Sequence, residues 1–337
     1  MTRRRSQRMS ITEVAKVAGV SHATVSNVIN NRPSVSPKTV KAVRQAMAQI
    51  GYTPRPVESR PGRRPRSADG VFTGRVSMVW PRREGYNNPV ALGIMQGIGT
   101  ELDALGLDLT VSFADAENVG QVVDRADGLL ALGFLEKGMI DSLRGKPIVW
   151  IGSHGPLDWG DRVRCDHGQI ARESVAYLVD QGCDSAIYVN LDTPHPAFQQ
   201  RGASFRLECE RLGVPVQVVQ IKGGDPATDA VKQLSRLKPT SRAGMFVACD
   251  RHLAALDRAC RLTGVTTLAD HPAIGCDNDT SALAGLIPTP ATFDLRAEQL
   301  GRLAVHRLSE RMRGNGGAGQ VTITQSAQLI EPPTHSA

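Results

Sequence analysis

Ser10-Ile11-Thr12-Glu13-Val14-Ala15-Lys16-Val17-Ala18-Gly19-Val20-Ser21-His22-Ala23-Thr24-Val25-Ser26-Asn27-Val28-Ile29-Asn30 decides the fold of the N-terminal part of this 337-residue chain. Ser10 with Glu13 three residues on is a capping box, so a helix starts there. Ile11, Val14, Ala15 and Ala18 then share one helical face. Gly19 breaks the helix, Val20 can pack beneath the turn, and Ser21 caps a second helix that ends at Asn30, Asn31, Arg32 and Pro33. Ser36-Pro37 is a helix cap followed by proline at the first helical position. A third helix follows, with Val40, Val43, Ala46, Met47 and Ile50 turned inward and Gly51 closing it. Two short helices joined through Ala18-Gly19-Val20-Ser21 form a helix-turn-helix, whose second helix has the dimensions to enter a major groove.

Working outward, charge separates this head from the rest. Residues 1–66 hold 14 lysines and arginines against two acids, whereas the remainder holds 26 against 31. A basic head on a mildly acidic body is the electrostatic footprint of a nucleic-acid binder carrying a second domain. A merely basic, unstructured tail would lack the periodicity just described. The 41% hydrophobic content fits a chain able to build real cores, and 337 residues suit two or three domains. No apolar run reaches membrane-spanning length, and Met1–Ser10 has no apolar stretch behind its arginines, so neither a membrane anchor nor a secretory signal is expected. The expected location is the cytoplasm. Cys165, Cys183, Cys209, Cys249, Cys260 and Cys276 form no C-x-x-C pair, and the eight histidines form no H-E-x-x-H, so buried thiols and no metal or other cofactor are expected.

The run from Ile11 to Asn30, with Val35-Ser36-Pro37-Lys38-Thr39 and Ile50-Gly51-Tyr52-Thr53-Pro54, closely resembles the head of the lactose/galactose repressor (LacI/GalR) family. The resemblance implies that bases are read at three positions of the second helix, here His22, Ala23 and Asn27. His22 and Asn27 can hydrogen-bond base edges, and Ala23 offers only an apolar contact. It also implies that Ser21, Thr24, Ser26 and Asn30 fix the DNA backbone, their hydroxyls and amide suiting phosphate oxygens. Capping and packing alone would also account for Ser21 and Thr24, and both roles can coexist.

The family normally continues into a hinge helix ending in a leucine that wedges into the minor groove. Here Pro61 stands at that place, and Pro56, Pro61 and Pro65 leave little room for a helix. The segment instead carries Arg55, Arg60, Arg63, Arg64 and Arg66, a composition similar to an AT-hook. It is either an extended arm for a narrow minor groove or a basic linker making nonspecific phosphate contacts.

Beyond residue 75 apolar strands alternate with amphipathic helices. Strands are expected at 76–80, 107–111, 128–131, 147–151, 186–189, 216–221, 244–248 and 272–275. Helices are expected at 91–105, 169–180, 199–212, 227–236 and 251–263. The alternation implies parallel sheets covered by helices on both faces, and the length suggests two lobes with a cleft between them. The expected fold class is therefore an N-terminal all-α helix-turn-helix domain plus an α/β body of two doubly wound parallel-sheet lobes. Its expected divisions are 1–54, a 55–74 linker, and 75–337.

This half resembles the family's effector-binding core, which is similar to periplasmic binding proteins. The resemblance rests on Asn88-Pro89, Asp127-Gly128, Cys165-Asp166, Arg201 to Phe205, Ala248-Cys249-Asp250, Gly275-Cys276-Asp277 and Glu298-Gln299-Leu300-Gly301. It implies that Arg201 and Asp277, with Asp250 third, hold a small polar effector such as a sugar or a derivative. Helix capping at a strand end is the plainer reading of the two aspartates. Cys249 replaces a usual asparagine, Gly152 stands where an aspartate is common, and Val90 replaces an aromatic, which argues against a plain hexose. Trp150 and Trp159 could stack on a ligand ring or simply pack.

No nucleophile–base pair or paired-acid site recurs, so no enzyme is expected. Gly93, Gly97 and Gly99 lie inside a helical pattern, not in a nucleotide-binding turn. The expected partners are double-stranded DNA at a pseudo-palindromic operator, a small polar effector, and a second copy of the chain, because one recognition helix covers only a few base pairs. A ligand-independent DNA-binding protein with a degenerate pocket is the competing reading.

Overall fold

The computed structural model describes residues 10–29, 35–52, 74–81, 89–191, 195–220, 225–234, 242–264, 271–317 and 319–332. The chain divides into two compact units, Met1–Pro65 and Arg66–Ala337. The linker arginines at 55, 60, 63, 64 and 66, together with Asn30, lie outside the described residues, as do the side chains of Ala23 and Ser26.

The first unit contains α1 (Ile11–Ala18), α2 (His22–Ile29) and α3 (Pro37–Gln49). Each start follows from its cap. Ser10 accepts from the Glu13 N–H while the Glu13 carboxylate accepts from the Ser10 N–H. Ser21 accepts from the Thr24 N–H at 3.1 Å, and Ser36 from the Thr39 N–H at 3.2 Å. Gly19 adopts the left-handed conformation (φ 65°) that lets α1 turn sharply into α2. Val14, Ala15, Val25, Val28, Val43 and Ala46 form the core, lined at its edge by Ile11, Val20, Val40, Met47 and Tyr52.

The second unit runs β1 (Arg75–Pro81), α4 (Pro89–Leu105), β2 (Asp108–Ala114), α5 (Val119–Arg125), β3 (Gly128–Leu132), α6 (Lys137–Ser142), β4 (Ile148–Ile151) and β5 (Asp161–Cys165). It then crosses to a second lobe of α7 (His167–Asp180), β6 (Ser185–Asn190), α8 (Pro196–Leu212), β7 (Val216–Gln220), α9 (Pro226–Leu234), β8 (Ala243–Val247), α10 (Asp250–Thr263), β9 (Ala273–Ile274), α11 (Thr280–Leu283) and β10 (Thr292–Asp294). Helix α12 (Ala297–Met312) and β11 (Thr322–Gln325) return to the first lobe, and β12 (Gln328–Ile330) goes back to pair antiparallel with β10. The first sheet has strand order β11-β5-β4-β3-β1-β2, paired parallel throughout; the second is β7-β6-β8-β9, also parallel. Three crossovers therefore join the lobes, after Cys165, Asp294 and Gln325.

The sequence reading assigns nothing to α5, α6, β5, α11, α12 and the last three strands. Strand β5 interleaves polar residues, Asp161-Arg162-Val163-Arg164-Cys165, and both Asp161 and Arg162 are buried. Their charges hide the strand from an apolar pattern. Helix α12 was legible, since Leu300, Ala304 and Leu308 recur at helical spacing and are buried. Strand β2 extends three residues past its expected end because it is a half-exposed edge strand, where Phe113 stays open to solvent.

The closing helix is fastened at both ends. Along α4, a Cβ on Gly97 would lie 1.9 Å from the Glu298 carbonyl oxygen, and one on Gly301 2.2 Å from that of Ile94. The two helices thus touch backbone to backbone. At the far end, buried Asp161 accepts from Arg307 Nε at 2.6 Å, from Arg311 Nε at 2.6 Å and Nη2 at 2.7 Å, and from the Val321 N–H at 2.9 Å. The same arginines donate to the carbonyls of Gly316, Gly317 and Gly319, fixing the glycine-rich turn.

Gly97→Ala should destabilise the body by about 1–3 kcal/mol, because a backbone carbonyl cannot swing aside as a side chain can. Gly99 lies in the same helix with nothing within 4 Å of a new Cβ. Gly99→Ala should therefore stabilise by roughly 0.5–1 kcal/mol through helix propensity. Urea unfolding of the two variants, showing shifts of opposite sign, checks the crossing.

Candidate functional site

In the first unit, the cap on α2 fixes what that helix can present. Val25 and Val28 turn into the core, leaving Ser21 and His22 exposed and Thr24 and Asn27 half-buried. The Ser21 and Thr24 hydroxyls lie 2.8 Å apart, so both are engaged in the cap while Ser21 remains at the surface. His22 and Asn27 are five residues apart on one rigid helix, each with donors and acceptors able to meet a base edge.

In the body, strand ends and helix starts place the cleft residues. Arg201 lies on α8 and is 3% exposed. Its Nη1 donates to the Ala248 carbonyl at 2.6 Å and stands 3.5 Å from Asp277 Oδ1. Burial alone would lower the Arg201 pKa, but Cys276, Asp277, Cys165 and Tyr188 around it raise it, so the guanidinium is charged. Burial lifts Asp277 to about 6, opposed by Arg201 and Arg251. The structure brings these two residues together, and Asp277 also lines a cavity of ≈ 660 Å³ with Val90, Gly93, Asn278, Arg296 and Glu298.

Asp277 has φ 110° and Asn278 φ 50°, a strained pair in a region that favours glycine. Asp250 holds them there. Its carboxylate accepts from the Asp279 N–H at 2.8 Å and from Thr292 Oγ1 at 2.8 and 2.9 Å, while Thr292 Oγ1 accepts from the Asn278 N–H. Gly275 leaves the space this needs, since a Cβ there would fall 2.1 Å from Asp250 Oδ1. Asp250 is fully buried, and both its oxygens are spent inside the protein. This corrects the expectation that Asp250 grips a ligand: its geometry positions Asp277. Nor does it cap a helix, because Cys249 occupies that place.

A second set of residues escapes sequence reading. The loop after β4 is pinned by Arg162, which donates to the carbonyls of His154 (3.0 Å), Gly155 (3.2 Å) and Pro156 (2.5 Å). From this loop Ser153 reaches the second lobe. Its hydroxyl donates to Gln200 Oε1 at 3.2 Å and lies 3.0 Å from His167 Nε2. The His154 ring meets His195 edge-on at 4.9 Å, His195 stacks on Phe198 at 4.0 Å, and Phe198 meets His252 at 5.1 Å. The first of these contacts joins the lobes directly.

Several nitrogens of these residues are buried. Nδ1 of His154, His167, His195 and His252, and Nε of Arg164 and Arg201, have no hydrogen-bond partner among the described residues. Each such buried atom costs roughly 1–3 kcal/mol. Burial, followed by the charge of Arg162, lowers His154 to about 4. Burial, then His154, Arg201 and His252, lowers His195 to about 3, and burial, then Arg251 and Arg201, lowers His252 to about 4. All three rings are neutral near pH 7. The scattered sequence positions of these residues carry no motif, although four histidines near strand ends were a usable hint. Trp150 and Trp159 pack on each other edge-on at 5.2 Å, and buried Trp150 donates to the Trp159 carbonyl, so neither stacks on a ligand. Among the described residues no group of three or more His, Cys, Asp or Glu could hold a metal ion, and no helix is long and apolar enough to cross a membrane.

Comparison with known proteins agrees with this division of labour. Residues 10–55 match the family described as bacterial regulatory proteins, lacI family, and residues 175–331 match a periplasmic binding protein-like domain. The chain is 25% identical to the HTH-type transcriptional regulator DegA of Bacillus subtilis, covering 96% of this chain and 95% of that one. It is 25% identical to the lactose operon repressor of Escherichia coli, covering 98% and 93%. Among solved structures, the Lac repressor dimer bound to operator and the anti-inducer ONPF superposes with TM-score 0.68 at 21% identity, covering 98% and 100%. The transcriptional regulator CelR–cellobiose complex superposes with TM-score 0.66 at 24% identity, covering 96% and 99%.

The cleft histidines should make the body acid-sensitive. Their folded pKa values lie below the ordinary 6.5, so the stability they contribute is present above pH 6.5 and is lost as pH falls toward about 4 and 3, where the unfolded chain binds protons the folded one refuses. Asp250 and Asp277, both raised, act in the opposite sense over part of that range. Unfolding free energies of the wild type and of His195→Phe/His252→Phe, measured between about pH 7.5 and about pH 5, isolate the histidines. The expected difference is a shallower acid slope in the double variant.

Proposed function

The chain belongs to the lacI family of bacterial regulatory proteins, and from that premise we propose that a small polar effector, held between the lobes of the body, governs its binding to an operator. It is a DNA-binding transcription regulator with a helix-turn-helix head and a periplasmic-binding-protein-like body. It acts as a homodimer by binding alone, in the cytoplasm where its DNA lies, and its role is that of a repressor. His22, Ala23 and Asn27 read bases, while Ser21, Thr24, Ser26 and Asn30 hold the DNA backbone.

The observation that carries the effector reading is the Arg201–Asp277 pair, a buried cation facing a strained carboxylate at the lip of a cavity. Proteins of similar fold are described in complex with cellobiose and with the anti-inducer ONPF, which supports a small-molecule ligand for this body. An effector can switch operator binding only through different affinities for two arrangements of the body. Opening the cleft would separate Ser153 from Gln200 and His154 from His195, so these contacts differ between arrangements. The arginines at 55, 60, 63, 64 and 66 supply minor-groove contacts in place of a leucine wedge.

His22→Ala and Asn27→Ala should each alter base preference by about 1–3 kcal/mol at one operator position per half-site. Replacing Arg63, Arg64 and Arg66 together by alanine should remove a preference for A·T pairs beside the half-sites and leave the His22 and Asn27 positions unchanged. Selection of binding sites from random DNA, at fixed salt, reads both effects. An unchanged motif in all three variants would show that other residues read the operator.

A further inference from the structure

We propose that the outward face of α3, carrying Lys38, Lys41 and Arg44, is a second, sequence-independent DNA contact that holds the backbone of a duplex other than the one met by α2. This goes beyond the reading of bases by α2 and rests on it only in taking α2 as the helix that meets the operator.

The charge of the head does not lie on its reading helix. Helix α2 carries no lysine, arginine or acid, whereas α3 carries three cations and no acid. Residues 1–66 contain two acids in all. Glu13 is spent in the cap of α1, and Glu58 lies outside the described residues. Lys38, Lys41 and Arg44 are exposed, and among the described residues none of the three has an ionic partner.

A run of cations on a helix is ordinarily a solvated face, and the body shows how such a face is settled. Arg211 pairs with Glu208 on α8, Lys232 with Asp229 on α9, and Arg261 with Asp257 on α10, each acid three or four residues from its cation. On α3 the residues at that spacing are further cations. Lys38 and Lys41 are three apart, as are Lys41 and Arg44, so like charges are neighbours and oppose the helix. Lys38 also stands in the first turn, where the positive end of the helix dipole disfavours a cation, while the last turn has none. The electrostatics of α3 alone are therefore unfavourable along its exposed side, and a polyanion laid there reverses their sign.

Length and direction identify the polyanion. From Lys38 to Arg44 the helix rises roughly 9 Å at about 1.5 Å per residue. Phosphates of one strand advance about 3.4 Å along a duplex, so this span follows about three of them. The inward side of α3, with Val43 and Ala46 buried, packs on the same core as Val25 and Val28 of α2. Faces turned away from a shared core diverge, so a duplex seated on Ser21 and His22 does not run along Lys41 and Arg44. The backbone that reaches them belongs to a second DNA segment, and a dimer presents two such faces.

The test uses the full-length protein on an immobilised short duplex carrying the selected operator, saturated, washed and then offered a fluorescent duplex of unrelated sequence. The wild type should capture the second duplex, with capture falling steeply as salt rises. Lys41→Gln/Arg44→Gln should reduce capture at least tenfold and lower its log–log salt slope by about 2. Its affinity for the short operator should stay within twofold, and its melting temperature should not fall, because a like-charge neighbour has been removed. Lys41→Arg/Arg44→Lys should capture as the wild type does. Operator binding without capture by the wild type would overturn the proposal and leave the reading of α2 intact, as would capture retained by the glutamine variant. Equal losses of capture and of short-operator affinity would place α3 on the operator itself and overturn the second contact. A wild type that does not hold the short operator would overturn both readings.

Discussion

The backbone-to-backbone crossing of α4 and α12 is the constraint from which the body's architecture follows. The chain leaves the first lobe at Cys165, builds most of the second, and must return after Asp294 to complete the first sheet with β11. The return is held where Gly97 meets Glu298 and Gly301 meets Ile94, with no space for a side chain on either glycine. A contact this close makes α12 part of the first lobe, although its chain neighbours on the N-terminal side belong to the second. The crossover at 294–297 therefore has one end in each lobe, with the cleft beside it. Asp277, Arg296 and Glu298 line the cavity there because of that crossover.

Charge is buried in this body in two contrasting ways. Asp161, with Arg307 and Arg311, and Arg162, with its three carbonyls, are buried charges whose hydrogen-bonding capacity is used locally. Such groups fix geometry, and removing one partner leaves an uncompensated charge. The cleft differs: several nitrogens of its arginines and histidines are buried, yet have no partner among the described residues. A protein does not keep such a concentration of unsatisfied groups for stability, since each one opposes folding. Arg162 links the two sets, because the loop it pins carries Ser153 and His154 to the second lobe. A fully satisfied knot thus holds the unsatisfied groups in place.

The head solves a simpler problem. Three short helices cannot bury much surface, so caps at Ser10, Ser21 and Ser36 define where each begins, and six small apolar side chains bind them together. The same serine that starts α2 stays at its exposed end beside His22. The cap that starts α2 and the exposed His22 ring therefore occupy adjacent positions on one helix.

By itself the sequence determined the head almost completely, because caps, a left-handed glycine and helical periodicity are local effects separated by a few residues. It also determined the alternation of strands and helices in the body, for buried parallel strands are continuous apolar runs. It pointed to Arg201 and Asp277, whose pairing the tertiary structure then displayed. What only the tertiary structure decided was every feature made between distant segments. Strand β5 was hidden because Asp161 and Arg162 look like surface residues until α12 and the 154–156 carbonyls surround them. Asp250 looked like a ligand-binding acid until Asp279 and Thr292 were seen to consume its oxygens. The four cleft histidines share no spacing at all, being brought together from the ends of different strands and helices by the closure of two sheets. Sequence encodes what a residue can do within its own turn or strand; burial and partnership, which set charge state and role, arise only once the lobes meet.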